Sequence, residues 1–191
     1  GLGLRRGRKR SLAVALLVLG ALSAAVGAGW WTGRLGATFR LVFDPDRRVL
    51  YERPTSKRIV ALTIDDGPDP RSTPAILRVL ERHHAHATFF LIADRLPGRE
   101  PLVRRIVGEG HELGNHMLRD APSIDLSPAV FERRLMRAHR RLLPFQRPEW
   151  FRPASGWYDD AMLDVAERNG YRCALGTVYP FDTLIASPRW A

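Results

Sequence analysis

The chain has 191 residues, of which 45% are hydrophobic and 26% charged, a composition typical of a folded globular protein and not of a disordered one. Its formal net charge is +10, and half of that charge comes from Arg5, Arg6, Arg8, Lys9 and Arg10. Because the other basic residues are not interleaved with aromatic ones and no nucleic-acid-binding motif is present, the sequence predicts no nucleic-acid partner.

The N-terminal part of the sequence predicts a membrane anchor. Residues 1–10 are interpreted as a basic cytoplasmic segment, and residues 11–31 contain an uncharged run from Leu12 to Trp31. Twenty such residues in a helix span about 30 Å, the thickness of a bilayer core, and positive residues stay on the cytoplasmic side. A cleaved signal peptide with a small-residue site at residues 26–28 is the alternative. Either case places the following domain outside the cytoplasm.

Residues 32–57 are predicted as a linker whose pattern also fits a hairpin of residues 39–43 and 49–52. From residue 58 onward, strands alternate with helices. Strands are predicted at 59–64, 87–92, 111–114, 150–152 and 172–177, and helices at 73–84, 100–110, 127–143 and 159–169. The first strand is a near-continuous hydrophobic run, as in a strand buried on both faces of a parallel sheet. The alternation implies right-handed crossovers and therefore an α/β protein with a parallel sheet or barrel.

Polar side chains follow three of these strands. Asp65 and Asp66 follow the first, and the segments 114–120 and 151–158 contain the other two sets. The carboxyl ends of parallel strands meet at the edge where ligands bind, so these side chains are expected to lie together. Two adjacent carboxylates repel each other, and a metal ion is the expected compensation. An Asp-Asp-Gly turn that only ends the strand is the structural alternative.

The three segments resemble the motifs of the NodB-like polysaccharide deacetylases, carbohydrate esterase family four. Residues 63–68 match that family's Thr-Phe-Asp-Asp-Gly-Pro motif with isoleucine at position 64, residues 114–116 match Gly-Asn-His, and residues 152–156 resemble Arg-Pro-Pro-Tyr-Gly. Order and spacing agree over residues 58 to about 178. The resemblance implies that residues 58–191 form a distorted (β/α) barrel, incomplete at its C-terminus.

The resemblance also implies a role for each matching position. Asp65 would be the general base that activates the attacking water, and Arg152 would pair with it and hold its orientation and charge. Asp66 and His116 would be metal ligands. The backbone N–H of Ser155, where the family has tyrosine, would stabilise the oxyanion.

The sequence departs from the family at the third metal ligand. The family's second histidine falls at Asp120, four residues after His116, and Met117 replaces a hydroxyl residue. Carboxylates can ligate zinc, and one helical turn would bring positions 116 and 120 to the same side. Asp66, His116 and Asp120 are therefore predicted to bind a divalent metal, with zinc expected and harder metals as alternatives. If Asp120 instead caps a turn before Pro122, the metal is lost.

A second departure lies at the end of the chain. The family's Leu-x-Leu-x-His motif, whose histidine protonates the leaving amine, does not occur before Ala191. The chain also begins with glycine. It is therefore interpreted as the N-terminal portion of a deacetylase, with little or no turnover of its own.

These inferences combine into one functional prediction with open alternatives. We expect a membrane-anchored enzyme that removes acetyl groups from N-acetylated sugars in cell-wall or chitin-like polysaccharide. Trp157 and Tyr158 would stack on a sugar ring, although they fit core packing equally well. One alternative is a non-catalytic sugar-binding relative or an inactive fragment. The other is an esterase that acts on O-acetyl groups.

Overall fold

The computed structural model of the chain describes residues 47–178. The strands are β1 (Val49–Leu50), β2 (Thr63–Gly67), β3 (Thr88–Leu91), β4 (Glu112–Asn115), β5 (Trp150–Phe151) and β6 (Arg172–Ala174). The helices are α1 (Ser72–Arg82), α2 (Glu100–Gly108), α3 (Pro128–Leu142) and α4 (Asp160–Arg168). Short 3-10 turns lie at Ala93–Arg95 and Ala154–Gly156.

The six strands form one sheet in the order β1-β6-β5-β4-β3-β2, and every pair of neighbours is parallel. The prediction of an α/β protein with a parallel sheet is confirmed. The predicted anchor at 11–31 and the first arm of the hairpin lie outside the described residues. Within residues 47–178, no helix combines the length and the apolar character needed to cross a membrane.

Strand β1 lies inside the range predicted as a linker. Val49 and Leu50 pair in parallel with Cys173 and Ala174 of β6. This pairing joins residues more than a hundred positions apart, which a local sequence pattern does not report. The sheet therefore begins before residue 58, where the sequence placed the start of the domain.

The predicted first strand at 59–64 is wrong in its N-terminal half. Strand β2 begins at Thr63, and Ile59, Val60 and Leu62 are exposed, Val60 to 91%. The reason lies in the register, because Thr63 pairs with Thr88, the first residue of β3. Strand β2 stands at the edge of the described sheet with only β3 beside it, and its pairing with β3 begins at the Leu62 carbonyl, which accepts from the N–H of Thr88 at 3.0 Å.

The apolar side chains of the sheet pack against the helices in two clusters. In the first, Phe89 and Leu113 of the sheet contact residues of three helices, among them Leu77, Val103 and Ala138. The second cluster joins β5 and β6 to α3 and α4. Each large side chain buried in this way stabilises the fold by about 1.5–3 kcal/mol. Strands β2 to β6 are adjacent in the sheet in the same order as in the chain, so each connection runs to the next strand in the same direction. Right-handed connections in one direction place all the connecting helices on one face of the sheet.

The other face of the sheet carries the ring of Phe90, which lies beside Gly114 of the neighbouring strand. A Cβ atom at position 114 would lie 2.4 Å from Cδ1 of that ring, so only glycine fits there. The guanidinium carbon of Arg152 lies 4.1 Å from the centre of the same ring. Because residue 114 is glycine, the Phe90 ring fits beside it, and the guanidinium of Arg152 stacks on that ring.

The start of helix α1 differs slightly from its prediction. The helix was predicted to begin at residue 73, but Asp69 Oδ1 accepts hydrogen bonds from the backbone N–H groups of Arg71 and Ser72 at 2.9 and 2.8 Å. The Thr73 hydroxyl instead accepts from the N–H of Asp69 at 2.9 Å. Those backbone bonds hold the pKa of Asp69 below its usual value, as expected for an ionised residue at a helix N-terminus. The cap therefore lies directly after the Asp65–Asp66 strand.

Candidate active site

The two adjacent carboxylates lie in a bulge near the end of β2. Ile64 pairs with Phe89 and Gly67 with Leu91, so three steps along β2 oppose two steps along β3. Asp66 has a φ of 65°, in the left-handed region. In a regular strand consecutive side chains point to opposite faces, whereas a bulge re-aims them. Asp65 and Asp66 consequently contact two different basic partners.

Asp65 contacts Arg152, which follows β5. Arg152 is 7% exposed, and its Nη1 lies 2.6 Å from Oδ1 of Asp65. The same Nη1 donates to the hydroxyl of Thr63 at 2.9 Å, and Nε donates to the carbonyl of Ala174 at 3.0 Å. The guanidinium also stacks on the Phe90 ring, so contacts at Nε, at Nη1 and at one face hold it in place. The predicted pairing of Arg152 with Asp65 is therefore present, and the role of Arg152 in orienting that carboxylate stays a prediction.

Asp66 faces His116, which follows β4. Its Oδ1 lies 3.7 Å from Nε2 of His116 and is buried without a hydrogen-bond partner among residues 47–178. Burial raises the pKa of the Asp66 carboxyl above its usual value, while the His116 ring acts in the opposite direction. The backbone carbonyl of Asp66 accepts a hydrogen bond from Arg95. The carboxylate itself thus remains incompletely compensated.

The ring of His116 is fixed by its other nitrogen. Nδ1 lies 2.8 Å from the carbonyl oxygen of Arg152, and a carbonyl can only accept, so Nδ1 carries the proton. In the neutral form of the ring, the lone pair is then on Nε2, the nitrogen that faces Asp66. A backbone carbonyl that binds the far nitrogen is the usual arrangement behind a metal-ligating histidine. The hydrogen bond at Nδ1 therefore leaves Nε2 as the ring nitrogen that could bind a metal.

Asn115 holds the turn that carries His116, a role that the sequence did not assign. Its Oδ1 accepts from the N–H of Met117 at 2.9 Å, and Met117 has a φ of 67°. Its Nδ2 donates to the hydroxyl of Tyr171 at 2.9 Å and to the carbonyl of Leu135 at 3.2 Å. Burial raises the pKa of Tyr171 to about 12, so its hydroxyl stays protonated in this network. The position of Asn115 within the Gly-Asn-His motif was the only signal available in the sequence.

Asp120 does not join Asp66 and His116. Residues 116–120 are not helical, so the helical turn that would bring position 120 beside His116 is absent, and Asp120 is exposed. Its charge still raises the pKa of Asp66. Residues 47–178 contain no group of three histidine, cysteine, aspartate or glutamate side chains that could hold a metal ion. Of the three predicted metal ligands, the structure therefore brings together Asp66 and His116 but not Asp120.

The pair of Asp66 and His116 fits a divalent cation. Oδ1 of Asp66 is buried without a hydrogen-bond donor, and Nε2 of His116 faces it at 3.7 Å, which is beyond hydrogen-bond distance. One ion bound at about 2.0–2.2 Å from each atom fits within that separation. A cation there would also remove the cost of burying the Asp66 charge. These two residues are the ones that would hold the metal.

The segment after Arg152 contains the remaining residues predicted for the site, Ser155, Trp157 and Tyr158. Ser155 is exposed and has a φ of 64° in the turn Ala154–Gly156, and its hydroxyl donates to the carbonyl of the buried Ala154. Trp157 is 58% exposed, whereas Tyr158 packs against the second core cluster with its hydroxyl 3.0 Å from that of Tyr51. Trp157 is thus available to a sugar ring, and Tyr158 is engaged in packing.

The site and the fold were compared with known proteins. The family model described as polysaccharide deacetylase matches residues 52–174. A peptidoglycan-N-acetylglucosamine deacetylase of Bacillus cereus is 34% identical over 137 residues, which are 71% of this chain and 64% of that protein. A chitooligosaccharide deacetylase of Bradyrhizobium is 33% identical over 135 residues, 69% of this chain and 62% of that one.

Among solved structures, a CE4 family pseudoenzyme from Bacillus anthracis superposes with a TM-score of 0.64 at 26% identity. The match covers 69% of this chain and 48% of the pseudoenzyme. The chain thus spans less than two thirds of the length of the curated relatives that it matches. The matched family model covers more than half of the chain, and the chain belongs to the polysaccharide deacetylase family.

Proposed function

We propose that this chain carries the general base and two metal ligands of an enzyme that hydrolyses acetyl groups from N-acetylated sugars in cell-wall or chitin-like polysaccharide. The observation that carries the proposal is the arrangement of two adjacent carboxylates with separate partners, Asp65 with Arg152 and Asp66 with His116. The two relatives named above are deacetylases of peptidoglycan N-acetylglucosamine and of chitooligosaccharide, which supports an N-acetylated glycan as the substrate.

Each of these residues has a separate role in amide hydrolysis. A divalent cation held by Asp66 and His116, with zinc as the expected ion, supplies Lewis-acid polarisation of the acetyl carbonyl. Asp65 takes the proton of the attacking water, and its pairing with Arg152 through Oδ1 leaves Oδ2 for that proton. The backbone N–H of Ser155 is proposed to donate to the oxyanion, and Trp157 to contact the sugar.

The finer architecture and the location are part of the same proposal. Helices that cover one face of a sheet with sequential strand order favour a distorted (β/α) barrel over a doubly wound sheet, which has helices on both faces. The uncharged run at 12–31 after the basic residues supports an anchor that places the domain outside the cytoplasm.

The test compares Asp65→Asn with Asp125→Asn in acetate release from chitohexaose, with zinc content measured for each protein. Asp125 is exposed, so its variant controls for the loss of one carboxylate. The chain is expressed with the native residues that follow Ala191 where the gene encodes them. We expect Asp65→Asn to lose about 10²–10⁴ in rate, the share of general-base catalysis, and to keep its zinc.

Two outcomes would contradict the proposal. Near-normal turnover in Asp65→Asn would remove its role as the base. Release of acetate from O-acetylated xylan but not from chitohexaose would make the protein an esterase.

A non-catalytic relative is the second candidate. The exposed position of Asp120 and the similarity to a pseudoenzyme favour it. Chitohexaose binding without zinc and without acetate release in the unsubstituted protein would identify it.

A further inference from the structure

A cavity of about 660 Å³ lies beside the candidate active site, between α3 and the segment that follows His116. Its lining includes Met117, the residue directly after His116. Five of its eleven lining residues are arginines, namely Arg119, Arg133, Arg134, Arg137 and Arg140. We call this space the arginine cavity.

The positive charge of the arginine cavity is only slightly compensated. Its single acidic lining residue, Asp94, lies 3.0 Å from Nε of Arg119 and also contacts Arg141 of α3. Among residues 47–178, no carboxylate forms an ion pair with the other four arginines of the lining. The lining therefore carries an excess of positive charge, which attracts anions.

The arginines are arranged along one side of α3. Arg133, Arg137 and Arg140 are spaced four and three residues apart, so their side chains are neighbours on the helix surface. Like charges at this spacing destabilise a helix, and a bound anion offsets that repulsion. The planar guanidinium group matches the two oxygens of a carboxylate or phosphate.

The wall of the arginine cavity is tied to the strands that carry the site. The carbonyl of Met117 accepts from the N–H of Ala93, and the carbonyl of Leu118 accepts from the N–H of Asp94, both at 3.0 Å. These bonds join the segment after β4 to the segment after β3. The cavity therefore lies at the same end of the parallel strands as Asp66 and His116, which is the arrangement that a polymer extending from the site into the cavity requires.

We infer that the arginine cavity binds carboxylate or phosphate groups of the polysaccharide substrate, so the preferred substrate is an acidic N-acetylated glycan. The inference rests on the proposed function for the position of the acetyl group, but the binding of an acidic glycan stands on the cavity alone. Neutral chitin-like chains would then bind more weakly than acidic chains of the same length.

The test measures the dissociation constants of two hexasaccharides by calorimetry at low salt. Hyaluronan hexasaccharide carries N-acetylated sugars with carboxylates, and chitohexaose carries N-acetylated sugars without charge. The variant Arg133→Gln/Arg137→Gln removes an exposed pair from the cavity. The variant Arg78→Gln/Arg82→Gln removes an exposed pair with the same four-residue spacing from α1, outside the cavity.

We expect hyaluronan to bind more tightly than chitohexaose and to lose affinity as salt is added. The cavity variant should weaken hyaluronan binding about tenfold, as expected for two partly exposed ion pairs, and leave chitohexaose unchanged. The control variant should leave both constants unchanged. Equal binding of the two sugars, or equal losses in the two variants, would overturn the inference.

Inorganic polyphosphate and single-stranded oligothymidylate complete the set of probes. Tighter binding of polyphosphate identifies phosphate as the preferred group, and tighter binding of hyaluronan identifies carboxylate. In either case the loss of affinity should occur only in the cavity variant. Oligothymidylate binding more tightly than both would overturn the inference in favour of a nucleic acid. Because binding is measured without turnover, the cavity and the deacetylase proposal can fail independently.

Discussion

Strand β4 has a buried histidine at each end, and only one of the two belongs to the candidate site. His111 precedes the strand and His116 follows it, and each is 4% exposed. Nδ1 of His111 accepts from the N–H of Ala87 at 3.4 Å, which places the proton on Nε2. In His116, Nδ1 donates to the Arg152 carbonyl, and the lone pair is on Nε2. The two rings are therefore opposite tautomers.

The comparison teaches that burial alone does not distinguish a ligand from a structural histidine. The Nε2–H of His111 has no hydrogen-bond partner among residues 47–178, and its ring packs beside Phe89 and His86. Burial lowers the pKa of His111, so the neutral ring is favoured there. The lone pair of His116 faces an uncompensated carboxylate instead. The hydrogen bond on the far nitrogen decides which ring can bind a cation.

The largest expected effect is on metal binding, and it tests the comparison directly. His116→Gln removes the lone pair that faces Asp66, whereas His111→Gln changes a ring of equal burial at the other end of β4. Loss of a hydrogen-bond partner behind a ligand already costs about 10–100-fold in affinity, so loss of the ligand itself should cost at least about 100-fold. Zinc affinity of each variant, measured by competition with a chelating dye, checks this. Equal losses would remove the distinction between the two histidines.

The next effect concerns the glycine between the two histidines. Gly114→Ala places a methyl group against the ring of Phe90, which supports Arg152. Overpacking of this kind costs about 1–3 kcal/mol in the free energy of unfolding, and we expect the Asp65–Arg152 pair to shift with the ring.

Gly108→Ala in helix α2 is the matched control, because a Cβ atom there meets nothing within 4 Å. It should be neutral or stabilising, since alanine favours helix more than glycine does. Urea unfolding of both variants gives the comparison. A Gly114→Ala protein as stable as Gly108→Ala would mean that the ring moves freely.

The smallest effect is the pH dependence that His111 imposes on stability. Its folded-state pKa lies below the unfolded value, mainly because of burial, so the unfolded chain binds the proton more tightly. This contribution to stability is fully present above the unfolded pKa of about 6.5 and is lost as the pH falls through the lower folded pKa.

Replacement by a residue that does not titrate removes that loss. We expect the midpoint temperature of His111→Gln to fall less between pH 7 and pH 5 than that of the unsubstituted protein. Thermal unfolding followed by circular dichroism at several pH values measures the difference. An unchanged slope would show that His111 titrates alike in both states.

The sequence by itself determined the α/β class and the residues that meet at the site. Alternating apolar runs and capped helices were sufficient to predict parallel strands, because each pattern reports a local conformation. Asp65 and Asp66 lie near the end of β2, His116 follows β4 and Arg152 follows β5, and the carboxyl ends of parallel strands meet at one edge. Both predicted partnerships, Asp65 with Arg152 and Asp66 with His116, are observed.

Only the tertiary structure decided which further residues take part and which do not. The pairing of β1 with β6 and the start of β2 depend on long-range register, which local patterns do not encode. The position of Asp120 depends on the non-helical conformation of residues 116–120. The left-handed backbone conformation of Asp66 depends on the bulge in β2. The tautomer of His116 and the arginine cavity arise from groups brought together across the chain. Contacts between distant segments supply this information, and a single sequence read locally does not contain it.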